Sequence, residues 1–318
     1  MALLRALLDN VRAADPFSHD ETWFSCMSFV AGFEHFIQTD EPLAPHTWMR
    51  LGGPAQYFAE PTSAEELAAL IARARDESLP TRLLGGGSNI LVRDEGVNGV
   101  VIRLTAPAFT EIRVEGNKVI AGSGAKLAHL VSTAAREGLA GLEQLVGIPG
   151  TVGGALHGNA TTQGGDIGQF TKQAVVLTRG GQTLTREKED MHFAHHHSSL
   201  DELAILSASF ELEEEDPQVV ARRMQTLWIV KRAQQPNGPE GVGCIFQDPR
   251  GGSAAELIDQ AGLKGSRLGE VEVSGKNANF FVVHPGATSA DVLRLLDSVR
   301  TQVNERLGVE LNPAIDVW

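Results

Sequence analysis

Cysteine is almost absent from the 318-residue chain, which carries only Cys26 and Cys244. Two thiols this far apart exclude a disulfide framework or a paired-cysteine zinc site, and they fit a reducing, cytoplasmic setting. Aromatic residues are also scarce, at 6% with a single tyrosine, and no apolar run reaches the length of a membrane span. The apolar opening Met1 to Leu8 is interrupted by Asp9, Arg12 and Asp15 before a signal-peptide core is complete, so no targeting segment is expected. Basic residues are outnumbered, 27 Lys and Arg against 40 Asp and Glu, and the net charge is -13. A general binder of nucleic acid or anionic membrane needs clustered cations, so both classes are excluded and no membrane insertion is expected. Anionic ligands must be held by local donors.

What the chain has in quantity is glycine, 34 residues, within an ordinary globular composition of 42% hydrophobic and 21% charged residues. The length predicts two or three domains. Leu83-Leu84-Gly85-Gly86-Gly87-Ser88-Asn89 is the stretch around which the rest is organised. Consecutive glycines permit positive φ and let peptide N–H groups converge, which is the geometry of a phosphate nest, while Ser88 and Asn89 can add side-chain donors. A tight turn between strands is the plainer reading of an isolated triple glycine.

The order of elements supports the nest. A helix opens at Thr62-Ser63 with Glu66 in capping-box position and lines Leu67, Leu70 and Ile71 on one face. Strands at Arg82–Leu84, Ile90–Val92 and Gly99–Leu104 then give β-α-β-loop-β. A second unit has two strands about Gly116-Asn117, the turn Gly122-Ser123-Gly124, and a helix from Leu127 to Glu137. The glycines from Gly138 to Ala155 predict no regular element and imply a large flat ligand against the backbone. Strands near Ala174–Leu177 and Ala204–Phe210 follow, then a solvated acidic boundary at Glu211–Pro217 and a helix from Gln218 to Lys231. A small α+β unit closes the chain, with helices at Ala254–Ala261 and Ser289–Leu307 and a strand at Phe280–Val283. The expected fold class is α+β: an N-terminal extension over 1–43, a domain over 44–212 with subdomains of about 44–105 and 106–212, and a third domain over 218–318.

Thr47-x-x-Arg50-x-Gly52-Gly53, Leu84-Gly85-Gly86-Gly87-Ser88-Asn89, Gly141-Leu142-Glu143, Gly147-Ile148-Pro149-Gly150-Thr151-Val152-Gly153-Gly154 and Asn159-Ala160 together resemble the UDP-N-acetylenolpyruvoylglucosamine reductase family, in its shorter, second type. Downstream, Ala255 to Gly265 and Val273 to Phe280 are similar to that family's C-terminal domain. The resemblance implies a two-part FAD-binding fold of the vanillyl-alcohol-oxidase type and a substrate domain. It implies NADPH-driven reduction of UDP-N-acetylglucosamine enolpyruvate in peptidoglycan precursor synthesis. Cofactor contacts fall on Arg50, Gly85, Gly86, Gly87, Ser88, Asn89, Gly122, Gly124, Gly147, Ile148, Pro149, Gly150, Thr151, Gly153, Gly154 and Asn159. Ser88 stands where covalent flavoproteins of this fold often carry histidine, so FAD is expected to be non-covalent.

Three catalytic positions depart from the family pattern. Cys244 replaces the usual hydroxyl as proton donor, a credible exchange because a free thiol is the more acidic group, with a pKa of about 8.5. His196 stands in Phe193-Ala194-His195-His196-His197-Ser198 where arginine is usual, and would have to be cationic to stabilise an enolate. Ungapped matching puts Ala314 at the family's acid, whereas a two-residue insertion makes Asp316 the acid; Asp316 could then keep His196 protonated. Lys231, Arg232, Gln247, Asp248, Lys264 and Lys276 are the expected substrate contacts. No cysteine ligand lies close to His192, His195, His196 and His197, and histidines in such a run are more often exposed or packed, so no metal is expected. A monomer or weak oligomer is the expected assembly. A flavin-binding homologue without reductase activity and a flavin-dependent sugar or alcohol oxidase remain as alternatives.

Overall fold

The computed structural model describes residues 29–236, 241–249 and 251–318. The apolar opening Met1 to Leu8 and Cys26 lie outside the described residues. Residues 29–35 belong to a separate N-terminal unit and contain a helical turn in which the Phe33 N–H donates to Val30 O at 2.8 Å. Phe36–Trp318 forms one compact unit.

That unit begins with a mixed sheet. Strand β1 (Ile37–Pro42) runs antiparallel to β2 (Pro54–Ala59), and α1 (Ala64–Asp76) crosses over to β3 (Thr81–Leu83). Ser63 caps α1 by accepting from the Glu66 N–H at 3.2 Å, and Leu67, Leu70, Ile71 and Ala74 are its buried face. After the short β4 (Ile90–Leu91), β5 (Val97–Ile102) inserts between β2 and β3, parallel to both, so the sheet order is β1-β2-β5-β3. The near-continuous apolar run of β5 suits a parallel strand covered on both faces. β4, expected as a strand over Ile90–Val92, is present but lies outside this sheet and pairs in parallel with the strand Asp316–Val317.

The next layer is antiparallel. Strands β6 (Ile112–Glu115) and β7 (Lys118–Gly122) form a hairpin, followed by α2 (Leu127–Arg136) and α3 (Val152–His157). With β8 (Thr171–Leu177), β9 (Thr183–Glu187) and β10 (Ala204–Glu211) the sheet order is β9-β8-β10-β7-β6. Its core is built on Val119, Leu130, Leu142, Val152 and Phe210. Helix α3 corrects the expectation that Gly138–Ala155 holds no regular element. Thr151 caps it, accepting from the Gly154 N–H at 3.3 Å, and its glycines permit close packing: a Cβ on Gly153 would lie 2.9 Å from the Ser123 Cβ.

The acidic segment 211–217 is more than a solvated boundary, since Leu212 is buried and Glu213–Glu214 pairs with Leu139–Ala140. Helix α4 (Pro217–Gln234) packs against α2 and the 142–145 turn. The buried Glu143 ties it down: its carboxylate accepts from the Gly141 N–H at 2.5 Å and from Arg223 of α4 at 2.6 Å.

The last layer comprises β11 (Gly241–Cys244), α5 (Ala254–Gln260), β12 (Arg267–Leu268), β13 (Val271–Val273), β14 (Phe280–Val283), α6 (Ser289–Leu307) and β15 (Asp316–Val317). Its antiparallel sheet, β11-β14-β13-β12, is covered by Val292, Leu295, Leu296, Val299 and Val303 of α6. Met49 and Leu91, from the first layer, are part of this core. Among the described residues no helix is long and apolar enough to cross a membrane.

Candidate functional site

Two glycine loops meet at the site. A Cβ on Gly86 would lie 2.5 Å from the Gly150 Cα, one on Gly85 would meet Thr151 Oγ1 at 2.8 Å, and one on Gly87 (φ +65) would reach His46 O at 2.1 Å. Any side chain would therefore wedge the loops apart. The Ser88 hydroxyl donates across the contact to Pro149 O at 3.5 Å. Among the described residues none of the peptide N–H groups from Gly85 to Asn89, nor those of Gly147 and Gly150, donates to a protein acceptor. Half-buried N–H groups of this kind need an acceptor, and a diphosphate supplies several. The residues present thus fit a phosphate-bearing cofactor.

Other residues assigned to the cofactor have different partners. The Gly122 and Gly124 N–H groups are spent on Glu111 O and Phe109 O, and a Cβ on either would strike the backbone of Leu104 or Phe109. They bring the second layer against the 104–109 connection. The Gly153 N–H donates to Ser123 O, and the Ile148 N–H to Leu145 O. The Asn89 side chain donates to Ala314 O at 2.8 Å, which fastens the nest to the C-terminal segment. Asn159 is buried at φ +43, donating to Ala194 O at 2.8 Å and accepting from the Gly168 N–H at 3.2 Å. Its amide thereby holds the hairpin that presents His196. Arg50 is exposed, with φ +55, in a segment whose Trp48 N–H bonds Gly87 O at 2.9 Å and whose Trp48 O accepts from the Val242 N–H at 3.1 Å. This segment joins the nest to the strand carrying Cys244.

Cys244 ends β11, opposite Phe280 of β14. Burial, reinforced by the charge of Asp248, pushes its thiol up to about 11, so it keeps its proton at neutral pH. Asp248 accepts from the Ala254 N–H at 2.8 Å at the start of α5. The same carboxylate acts on His196, which sits at φ +55 in the turn of the 193–198 hairpin. Burial and the neighbouring His195 ring, 4.2 Å away, together outweigh Asp248 and hold His196 below the ordinary imidazole range. This corrects two expectations: His196 is not favoured as a cation, and its acidic neighbour is Asp248. Asp316 is exposed and accepts from Trp318 Nε1 at 3.0 Å. Ala314 lies beside Cys244, its N–H donating to Ile245 O at 2.7 Å. Gln247 is tied there too, its N–H donating to Asn312 O at 2.9 Å.

Two expected substrate cations, Lys231 and Arg232, line a cleft with Gly147, Trp228 and Gln235. Lys231 crosses Gly147, where a Cβ would meet its Cδ at 3.1 Å, and burial lowers its pKa to about 8. Lys276 donates to Arg232 O at 3.0 Å, and the Arg232 guanidinium stacks 4.8 Å over the Trp228 ring. Trp228 was not anticipated, although its spacing four residues before Arg232 on a helix is an aromatic–cation signal. Lys264 does not join them; it is paired with Asp259 at 2.6 Å. Among the described residues no cluster of His, Cys, Asp or Glu is placed to hold a metal.

Residues 55–186 match the family model described as an FAD binding domain, and residues 235–318 match that of the UDP-N-acetylenolpyruvoylglucosamine reductase C-terminal domain. The chain is 38% identical over 284 residues to the UDP-N-acetylenolpyruvoylglucosamine reductase of Rhodopirellula baltica, covering 89% of this chain and 93% of the relative. It is 40% identical to UDP-N-acetylenolpyruvoylglucosamine reductase 2 of Symbiobacterium thermophilum, covering 89% and 92%. The crystal structure of UDP-N-acetylenolpyruvylglucosamine reductase from Thermus caldophilus superposes with a TM-score of 0.76 at 35% identity, covering 89% of this chain and 98% of that one.

Proposed function

This chain belongs to the UDP-N-acetylenolpyruvoylglucosamine reductase family, and we propose that in it two glycine loops hold FAD, Cys244 donates a proton, and the Lys231 cleft takes the substrate's diphosphate. The protein is an FAD-containing, NADPH-dependent oxidoreductase that reduces UDP-N-acetylglucosamine enolpyruvate to UDP-N-acetylmuramate in peptidoglycan precursor synthesis. Held by these loops, FAD would serve as the hydride carrier between NADPH and one carbon of the enolpyruvyl double bond.

The residues do the rest. The unpaired N–H groups of Gly85–Asn89 bind phosphate, and the touching backbones at Gly86 and Gly150 leave flat, side-chain-free surface for the ring system. No histidine stands in the nest, and we read the FAD as non-covalent. Cys244, protonated because it is buried beside Asp248, gives its proton to the second carbon, so that hydride and proton together saturate the double bond. Lys231, Arg232 and Lys276 supply positive charge to the UDP portion, with Trp228 as an exposed aromatic neighbour. His196 lines the Cys244 side as a neutral donor, and Asp316 serves the C-terminal strand. We place the protein in the cytoplasm, where its NADPH and UDP-sugar are found.

The observation that carries this reading is the pair of loops with unpaired N–H groups and no room for a Cβ. An absorption experiment tests it: the purified protein is yellow, bleached anaerobically by NADPH, and recoloured by UDP-N-acetylglucosamine enolpyruvate. Recolouring by oxygen with peroxide release, but not by the UDP-sugar, would identify an oxidase instead.

A further inference from the structure

Arg103 follows β5 directly, at the carboxyl end of the parallel strands. The residue before it, Ile102, accepts from the Leu84 N–H at 2.8 Å, immediately ahead of the nest. On its other side, the Leu104 carbonyl fills the space that a Cβ on Gly124 would occupy. Arg103 therefore stands between the first glycine loop and the Gly122–Gly124 turn. Its guanidinium Nη1 contacts His46 Nδ1 at 3.0 Å. Guanidinium only donates, so Nδ1 must be the acceptor and the imidazole proton must sit on Nε2. Nε2 faces Glu41 Oε1 at 3.1 Å, which accepts that proton in a hydrogen bond. The His46 ring is also stacked on Phe58, with centroids 4.7 Å apart and planes at 22°. Glu41, His46 and Phe58 thus fix the direction of one guanidinium edge. The remaining guanidinium N–H groups have no protein acceptor among the described residues, although the residue is half-buried.

A half-buried cation with unpaired donors, beside a loop of unpaired peptide N–H groups, is the arrangement that a bound anion satisfies. We propose that Arg103 is a further cofactor-binding residue, whose free guanidinium edge takes a phosphate oxygen of the FAD diphosphate, and that His46 positions it. The proposal rests on the reading that the Gly85–Asn89 loop holds FAD. It also answers the chain's excess of negative charge, which leaves the diphosphate dependent on a local positive one.

The test titrates flavin-free protein with FAD, following quenching of flavin fluorescence at low and high salt, alongside the melting temperature of the same apoprotein. Arg103→Gln should weaken FAD binding about 10- to 100-fold, flatten its salt dependence and leave the apoprotein melting temperature within a few degrees of wild type. Arg103→Lys, which keeps the charge but loses the planar fork, should fall between. His46→Gln can accept from Arg103 and donate to Glu41 at once, so it should bind FAD more tightly than His46→Leu. Wild-type affinity in Arg103→Gln overturns the proposal, as does weaker binding with unchanged salt dependence or with a collapsed apoprotein melt. Failure of the wild-type apoprotein to bind FAD would instead refute the nest.

Discussion

At Cys244 the chemistry depends on which form of the thiol exists at working pH. Its pKa lies at about 11, so the donor form is complete below that value and disappears only as pH rises through it. Cys244→Ala should leave flavin reduction by NADPH near wild type while slowing reoxidation by the UDP-sugar about 10²-fold, in stopped-flow measurements of each half-reaction. Cys244→Ser should recover part of the rate. Burial moves Lys231 the other way, lowering its pKa to about 8, so its charge is likewise present below its pKa and lost above it, but at a lower pH. Kcat/KM for the UDP-sugar should decline as pH rises through about 8, and Lys231→Arg should flatten that decline, because a guanidinium does not titrate there. Burial and the neighbouring His195 ring lower the pKa of His196 against the pull of Asp248, so its cationic form is disfavoured.

Elements with local signals were legible in the sequence. Helix α6 runs from Ser289 to Leu307 as expected, because Thr288 and Asp291 form a reciprocal capping box and Gly308 ends it at φ +71. Helix α3 was hidden, since two of its six residues are glycine and its stability comes from the Thr151 cap and the contact with Ser123. Of the site, the motif positions were readable but their partners were not. Asn159, Gly122 and Gly124 look like ligand contacts in sequence, yet they serve loop-to-loop packing that only the tertiary structure reveals. The same holds for the Arg223–Glu143 pair, whose members lie 80 residues apart. Glu143 is 1% exposed, so Arg223→Met would leave a buried carboxylate with only the Gly141 N–H as partner. Arg223 is itself 42% exposed, and water can partly replace it. We therefore expect a cost of about 2–3 kcal/mol, measured by chemical denaturation, against a far smaller loss from breaking the exposed Lys172–Glu211 pair.

Across the whole molecule, the C-terminal segment binds the layers together. The Asp316 N–H donates to Asn89 O at 2.9 Å, the Trp318 N–H to Leu91 O at 2.9 Å, and the Arg93 N–H to Trp318 O at 3.0 Å. Leu91 also lies in the core of the last layer, so β4 is shared between the first layer and the third. Deleting residues 315–318 should lower flavin content and melting temperature together, measured on the same preparation, because the loop preceding β4 loses the strand that holds it. Retention of full flavin by that truncation would show that the nest is shaped by its neighbours in the first layer alone.

The bond from Asn89 to Ala314 spans 225 positions of sequence, and this imposes an order in time. As the chain is synthesised, the glycine loop emerges 225 positions ahead of Ala314, the residue that accepts from Asn89. Until those residues leave the ribosome, Asn89 lacks its acceptor and β4 lacks its one strand partner, although the first sheet, to which neither belongs, can already assemble. The braced form of the loop therefore waits on residues 314–317, and not on the arrival of the loop itself.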